Sequence, residues 1–564
     1  MTTLPTDILE EIFLQLHQHD KLECMLPLPT EILGGIFHFL DQDEKLECML
    51  VCHYWYQTIK QLALYHTINI YCSSNLKLLK NKMEKYPNIG SKVERLVLSF
   101  SNEKCLVYLK KVLLLLPNIK TLVCSGKEKG KIALEQGIQF PWHSTIEHIC
   151  EDSRYGIGYQ LLSVSVCPLL TTLTIMNGWK NIIPFLINAP ALKHLAIHNL
   201  ELDFDSLEII HSSLSDLKTL SLTGVDFPIS FFPRPITPAI SITECTIDLN
   251  NVRVTENRID LLVYIRKKYP NLHKLSYHID QFIVSDDEVK PLYNMGWIPL
   301  FMKFGPQLGT LSLDNNGFGD DLFPTLATFS CSIHHLQVNF ITQASLTKLS
   351  KSLHSFNCIH TLCLNNTKVD SFRWLNKLQV LKKLKLYYYF HGVHVKMDQI
   401  IRFAPPSLTT LSLDNGVLVY HTKNSRMSNV ETISLNRVTV PKKMETIINR
   451  HFPNLSKLKL KHCDMIGRSL TLPMIQLHHF HLTDNFRLGN NLVLIISEYN
   501  HISKQVKYNV QGVDYRRLSE GTCKQFGSYM TYPSLKSYIV NDCSTIVPDF
   551  TLHCKSIPNV IFSQ

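Results

Sequence analysis

Leu192-Lys193-His194-Leu195-Ala196-Ile197 returns as Leu217-Lys218-Thr219-Leu220-Ser221-Leu222, and later as Leu381-Lys382-Lys383-Leu384-Lys385-Leu386. Further copies open at Leu308, Ile359, Leu408, Val430 and Leu455. Each is apolar at its first, fourth and sixth positions and polar or small in between. The alternation of the fourth and sixth positions predicts a short strand with one buried face. Such a strand cannot bury that face alone, so neighbours separated by a fixed length of chain must stack beside it in parallel.

Weaker copies begin at Val93, Ile119, Ile146, Leu170, Ile242, Leu272, Ile333, Leu477 and Leu535, with another near Gln505, and most starts lie 22 to 28 residues apart. Segments with helical spacing separate them. Ile259, Leu262, Val263 and Ile265 precede Pro270, and Met444, Ile447 and Ile448 precede Pro453. Proline also stands two residues before the phrase at Pro117, Pro168, Pro190, Pro306, Pro406 and Pro533. It lacks an amide proton and disfavours helix in its predecessor, so it stops each helix and starts the strand. The pattern predicts a curved α/β solenoid, with a parallel sheet inside and helices outside. Two stretches break the period: the proline-rich Phe227 to Pro238, and the overlong repeat around Ser285 to Glu288. Both read as solvated loops, with a binding loop over the rim as the alternative.

This period and phrase resemble the leucine-rich repeat family. Cys463, Cys543, Asn316 and Asn485 stand where that family places Asn or Cys, whereas Val225, Thr367 and Val438 depart from it. The resemblance implies a solenoid over residues 93–564 with roughly 17–18 repeats, preceded by a linker or helical cap over 67–92.

The amino-terminal fifty residues are partly doubled. Leu4-Pro5-Thr6-Asp7-Ile8-Leu9 leads to Lys21-Leu22-Glu23-Cys24-Met25-Leu26, and Leu28-Pro29-Thr30-Glu31-Ile32-Leu33 leads to Lys45-Leu46-Glu47-Cys48-Met49-Leu50. Only the second copy continues into Val51-Cys52-His53-Tyr54-Trp55. In it Thr30 can cap a helix whose apolar positions Ile32, Leu33, Ile36, Phe37 and Leu40 recur at helical spacing. Residues 28–66 resemble the F-box family, and residues 1–27 read as a partial, loosely helical duplicate. A bundle this small is marginal alone. The resemblance implies a partner, the Skp adaptor of cullin-type ubiquitin ligases. It implies that Leu28, Pro29, Ile32, Ile36, Leu40, Val51, Cys52 and Trp55 form the adaptor-facing surface and its support.

Composition bounds the rest. The 564 residues are 45% apolar and 18% charged, as in an ordered protein too long for one core. The start lacks a signal peptide, and no apolar run has the roughly 20 residues that span a bilayer. An intracellular protein, cytoplasmic or nuclear, with its 16 cysteines reduced is therefore expected. There is no paired Cys-x-x-Cys, phosphate loop, Gly-x-Ser-x-Gly or His-Glu-x-x-His, so no metal, cofactor or catalytic residue is assigned. His478, His479 and His481 read as surface histidines of a strand.

In this repeat type, positions 2, 3 and 5 of the phrase point towards the concavity. Towards the carboxy terminus they turn basic at Lys382, Lys383 and Lys385, then at Lys457, Lys459 and Lys461, with His479 and His481 on the next strand. Tyr387 and Tyr388 extend the first patch. A basic face concentrates anions, so an acidic or phosphorylated protein segment is the expected ligand. The leading expectation is a non-catalytic substrate receptor that joins such a target to the Skp adaptor and, through it, a cullin. A scaffold that uses the F-box without ubiquitylation is the second reading. A nucleic-acid-binding repeat protein, prompted by the net charge of +10, is the third.

Overall fold

A computed structural model describes residues 34, 37, 40, 45, 48, 49, 53–59, 64–99, 106–125, 139–152, 156–175, 182–225, 235–249, 255–279, 291–314, 321–329, 332–339, 346, 348, 351, 358–365, 371–388, 392–420, 427–441, 444–465 and 477, with backbone for 469–472, 479–483, 491–498, 501–511, 550–554 and 559–563. The chain forms two compact units, Met1–Ile175 and Met176–Gln564.

The first unit carries β1 (Thr67–Ile70), β2 (Arg95–Ser99), β3 (Thr121–Ser125), β4 (His148–Asp152) and β5 (Thr172–Ile175). They pair in parallel and in chain order. Leu96, Leu122, Ile149 and Leu173 stand in one register row and are at most 1% exposed. Helices Ser73–Lys85, Leu106–Leu114 and Ile157–Val164 fill the connections. The ladder begins at Thr67, ahead of the boundary expected at residue 93. The phrase is present there as Tyr65, Ile68 and Ile70, but a tyrosine in the first position disguises it.

The second unit continues the pattern with β6 (His194–His198), β7 (Thr219–Val225), β8 (Glu244–Leu249), β9 (Lys274–Ile279), β10 (Thr310–Asp314), β11 (His335–Asn339), β12 (Thr361–Asn365) and β13 (Lys383–Tyr387). It goes on through β14 (His394–Lys396), β15 (Thr410–Val419), β16 (Thr432–Val440), β17 (Lys457–Lys461) and β18 (Asp464–Met465). From β6 to β13 each strand pairs in parallel with the next, and β15, β16 and β17 extend the ladder from β13. The fourth phrase position forms a continuous row, from Leu195 and Leu220 through Leu384 and Leu411 to Leu458, each at most 2% exposed. Burial of each such side chain contributes about 1.5–3 kcal/mol, and it fixes register, because a one-residue slip would turn the whole row to solvent.

β15 and β16 outrun the six-residue phrase. Gly416, at φ +114°, lets β15 bend, and its Val417-Leu418-Val419 end pairs with β14 while the end of β16 pairs with β18. The helix expected from Ile259 to Ile265 runs Thr255–Lys268, and that from Met444 runs Met444–His451. Their buried faces include Leu262 and Ile265 in the first and Met444, Ile447 and Ile448 in the second.

Beyond β18 lie β19 (Ser469–Leu472), β20 (His479–Thr483), β21 (Asn491–Glu498), β22 (His501–Gln511), β23 (Phe550–Cys554) and β24 (Asn559–Ser563). β20 pairs with β17, and the next ladder strand is β24. The copy expected near Gln505 is instead an antiparallel partner, because β22 folds back on β21 within a separate sheet with β19 and β23. The copy at Leu535, residues 226–234 of the first irregular stretch, Ser285 to Glu288, Asn316, Asn485, Cys543 and residues 1–27 lie outside the described residues. Cys463 is buried, its thiol 3.4 Å from the carbonyl oxygens of Leu435 and Lys461, as a residue that ties one turn to the previous strand.

Candidate functional site

Two surfaces concern function. The first is the amino-terminal module. Phe37 and Ile59 are buried in a small core against which Leu40, Cys48, Met49, Trp55 and Leu64 pack. Trp55, on the helix His53–Thr58, meets Phe37 edge to face with ring centroids 5.3 Å apart. That geometry aligns the positive ring edge with the negative ring face and adds about 0.5–1.5 kcal/mol to the area buried. Tyr54 and Tyr56, on the same helix, are exposed. Leu40 and Trp55 are thus brought together. Leu28, Pro29, Ile32, Ile36, Val51 and Cys52 lie outside the described residues.

The second surface is the open strand face of the second unit. Register aligns Lys383, Thr410, Thr432 and Lys457 in one row, and Lys385, Ser412, Ser434 and Lys459 in the next. A third row holds Tyr387, Asp414, Asn436 and Lys461. Lys385 and Lys461 are exposed, and Lys383, Lys457 and Lys459 half-buried. Lys382 is exposed in the approach to β13, where its carbonyl accepts the amides of Thr409 and Thr410. Burial lowers the pKa of Lys459, and the charges of Lys457 and Lys383 lower it further. The backbone places His479 and His481 in register with Lys457 and Lys459, while their side chains and His478 lie outside the described residues.

The structure corrects one member of this patch and adds another. Tyr388 is buried, with its carbonyl accepting Asn415 Nδ2 at 2.8 Å, so it does not extend the basic face. His335, which lies outside the basic run in sequence, belongs to the same field. Burial lowers its pKa, followed by the charges of Lys385, Lys383 and Lys274. Only the register of β11 against β12 and β13 could have revealed it.

A polar network adjoins this face. His278 Nδ1 lies 3.1 Å from Asp314 Oδ1, and its Nε2 lies 2.9 Å from Ser312 Oγ and 3.1 Å from Ser276 Oγ. Asn339 Nδ2 donates to the same Asp314 oxygen at 2.6 Å, and Asn365 donates to Asn339 Oδ1 at 2.6 Å. Hydroxyl, imidazole and carboxylate stand in the order of a nucleophilic serine. However, β10 is paired on both sides, so its amides are committed to the ladder and not poised for an oxyanion. Ser312 is 9% exposed. The network ties four strands together across their polar rows. Among the described residues no group of three or more His, Cys, Asp or Glu could hold a metal, and no helix is long and apolar enough to cross a membrane.

Comparison with protein families matches residues 25–71 to the F-box-like family. The match contains the second copy of the doubled segment and omits nearly all of the first. Comparison with curated proteins gives no match.

Proposed function

We propose that the chain is a non-catalytic substrate receptor of a cullin-type ubiquitin ligase. The F-box-like domain binds the Skp adaptor and, through it, a cullin, and the second unit's strand face, read as leucine-rich repeats, binds a target protein. The observation that carries this reading is the F-box-like match at 25–71 around the Phe37–Trp55 pair, joined on one chain to a parallel ladder with a basic open face. Leu28, Pro29, Ile32, Ile36, Leu40, Val51, Cys52 and Trp55 form the adaptor surface or support it. Lys382, Lys383, Lys385, Lys457, Lys459 and Lys461, with His479 and His481, meet an acidic or phosphorylated target. Holding both partners raises the effective concentration of target lysines near the conjugating enzyme. The setting is the reducing cytoplasm or nucleus, where thiols stay reduced.

Copurification from cells tests the reading. Wild type is expected to recover the adaptor together with a cullin, and Pro29→Ala/Trp55→Ala to lose both. Recovery of the adaptor without a cullin would favour a scaffold that does not ubiquitylate.

A further inference from the structure

The helices Ser73–Lys85 and Leu106–Leu114 of the first unit pack side by side. The chain just beyond them ties their ends together: Asn118 Nδ2 donates to the Ser91 carbonyl at 2.7 Å, and a Cβ at Gly90 would run into the Leu115 carbonyl. The inner side of the first helix holds Leu76 and Met83, and that of the second Leu109, Val112 and Leu113, all buried. At about 100° per residue, Leu78 and Lys85 fall within about 20° of each other on the opposite side of the first helix, with Lys77 and Lys82 on its flanks. All four are exposed, Leu78 at 65%. On the second helix Lys111 and Leu114 occupy the outward side and are exposed as well. Tyr86 follows the first helix, exposed, with the Lys85 ammonium 5.3 Å from its ring centre.

Two features set this patch apart. Its charge is unopposed, because the described acids between Tyr71 and Lys120 are Glu84 and Glu94, and each already holds a lysine, Lys80 at 2.6 Å and Lys120 at 2.8 Å. Among the described residues no acid engages Lys77, Lys82, Lys85 or Lys111. The second feature is that large apolar side chains stand among these lysines on the outward side of both helices. A single exposed leucine is ordinary, but Leu78, Tyr86 and Leu114 gathered within one basic field are a patch that water does not favour.

We propose that this face rests on an anionic lipid bilayer, with Lys77, Lys82, Lys85 and Lys111 among the negative headgroups and Leu78, Leu114 and Tyr86 entering the interface. Each part of the patch finds its match there. A lysine held near an anionic lipid surface multiplies partition about fivefold. Aliphatic side chains are taken up at the acyl boundary, and a tyrosine ring lodges at headgroup level with its hydroxyl in water. A nucleic acid would satisfy the lysines through its phosphates and leave both leucines in water. Two adjacent helices present crests, and a broad, soft bilayer receives crests without a groove to hold it. Contact of this kind lies on the membrane surface and does not cross it. It concerns the first unit alone and does not depend on what the strand face of the second unit binds.

The test mixes the full chain with vesicles of phosphatidylcholine, either alone or with about one third phosphatidylserine, and reads the bound fraction after sedimentation. Binding should require phosphatidylserine. Lys82→Gln/Lys85→Gln should weaken it about 25-fold, at about fivefold per lysine. Leu78→Ser/Leu114→Ser should weaken it about tenfold with every lysine in place. Lys383→Gln/Lys459→Gln, on the second unit, should leave it unchanged. Equal binding to the two kinds of vesicle, or binding to neither, would overturn the site. So would a leucine variant that binds like wild type, since charge alone would then suffice, or vesicle binding that is lost with Lys383 and Lys459. Release of the wild-type chain from vesicles by an equimolar single-stranded oligonucleotide would assign the patch to nucleic acid instead.

Discussion

Glu151 shows how one residue can break a pattern and serve the fold. It occupies the sixth phrase position, in register between Cys124 and Ile175, where the ladder calls for an apolar side chain. It is 1% exposed, and its oxygens accept the amides of Ile157 at 2.8 Å and Gly158 at 2.9 Å, at the start of the helix Ile157–Val164. Helix amides that lack intrahelical partners are satisfied by a buried carboxylate. Glu151→Leu would restore the pattern yet orphan both amides, so it should destabilise the first unit by about 2–4 kcal/mol. Thermal melting and faster amide exchange over 157–164 check this, and an unchanged melt would contradict it. His211 offers a second case. Its Nε2 lies 3.0 Å from the Tyr269 hydroxyl, and burial, aided by the Lys268 charge, pushes its pKa down to about 3. The unfolded chain takes up this proton near pH 6.5 and the folded one near pH 3, so between them the unfolded state binds more protons. Stability from this group is complete above pH 6.5 and falls on acidification by about 1.4 kcal/mol per pH unit. His211→Phe should flatten that part of a pH–stability curve; an unaltered slope would assign it to other groups.

At the scale of elements, the parallel ladder was legible wherever leucine or isoleucine held the first, fourth and sixth positions, because burial of that face leaves one register. It was obscured where other residues do the same work. Tyr65 hid the strand at Thr67, and Val560 and Phe562, in register with Phe480 and Leu482, hid the one at Asn559. Around Gln505 the alternation was real, but alternation does not distinguish a parallel neighbour from a hairpin. The candidate site divides along the same line. Lysine runs within one strand can be read locally, whereas the placing of Thr410 beside Lys383, or of His335 in their field, depends on register between strands far apart in sequence. The doubled amino-terminal segment was decided by what one copy lacks, and the family match from residue 25 selects the same copy. The first copy has no counterpart of Trp55, the ring that meets Phe37 in the second. Deleting residues 1–26 should therefore leave capture of the Skp adaptor intact in a pull-down, and lost capture would assign the docking function to the first copy.

At the scale of the whole molecule, the proposed function sets two recognition surfaces governed by different forces on one chain. The dock is built on apolar and aromatic packing around Phe37, Trp55 and Ile59. The target-binding face proposed for the second unit carries the ammonium groups of Lys383, Lys385, Lys457 and Lys459. These forces respond differently to salt. Raising ionic strength from about 0.1 M to about 1 M shortens the Debye length from about 10 Å to about 3 Å and screens exposed charges, while burial of apolar surface is not weakened. Binding of a phosphorylated peptide to the full chain should therefore fall at least about tenfold over that range, and capture of the adaptor by the same preparation should change less than about twofold. Titration of both partners at each salt concentration separates the two surfaces without any mutation. If both affinities fell together, the dock would have to owe its strength to charge, and the division of labour argued from Phe37 and Trp55 on one side and Lys383 and Lys459 on the other would fail.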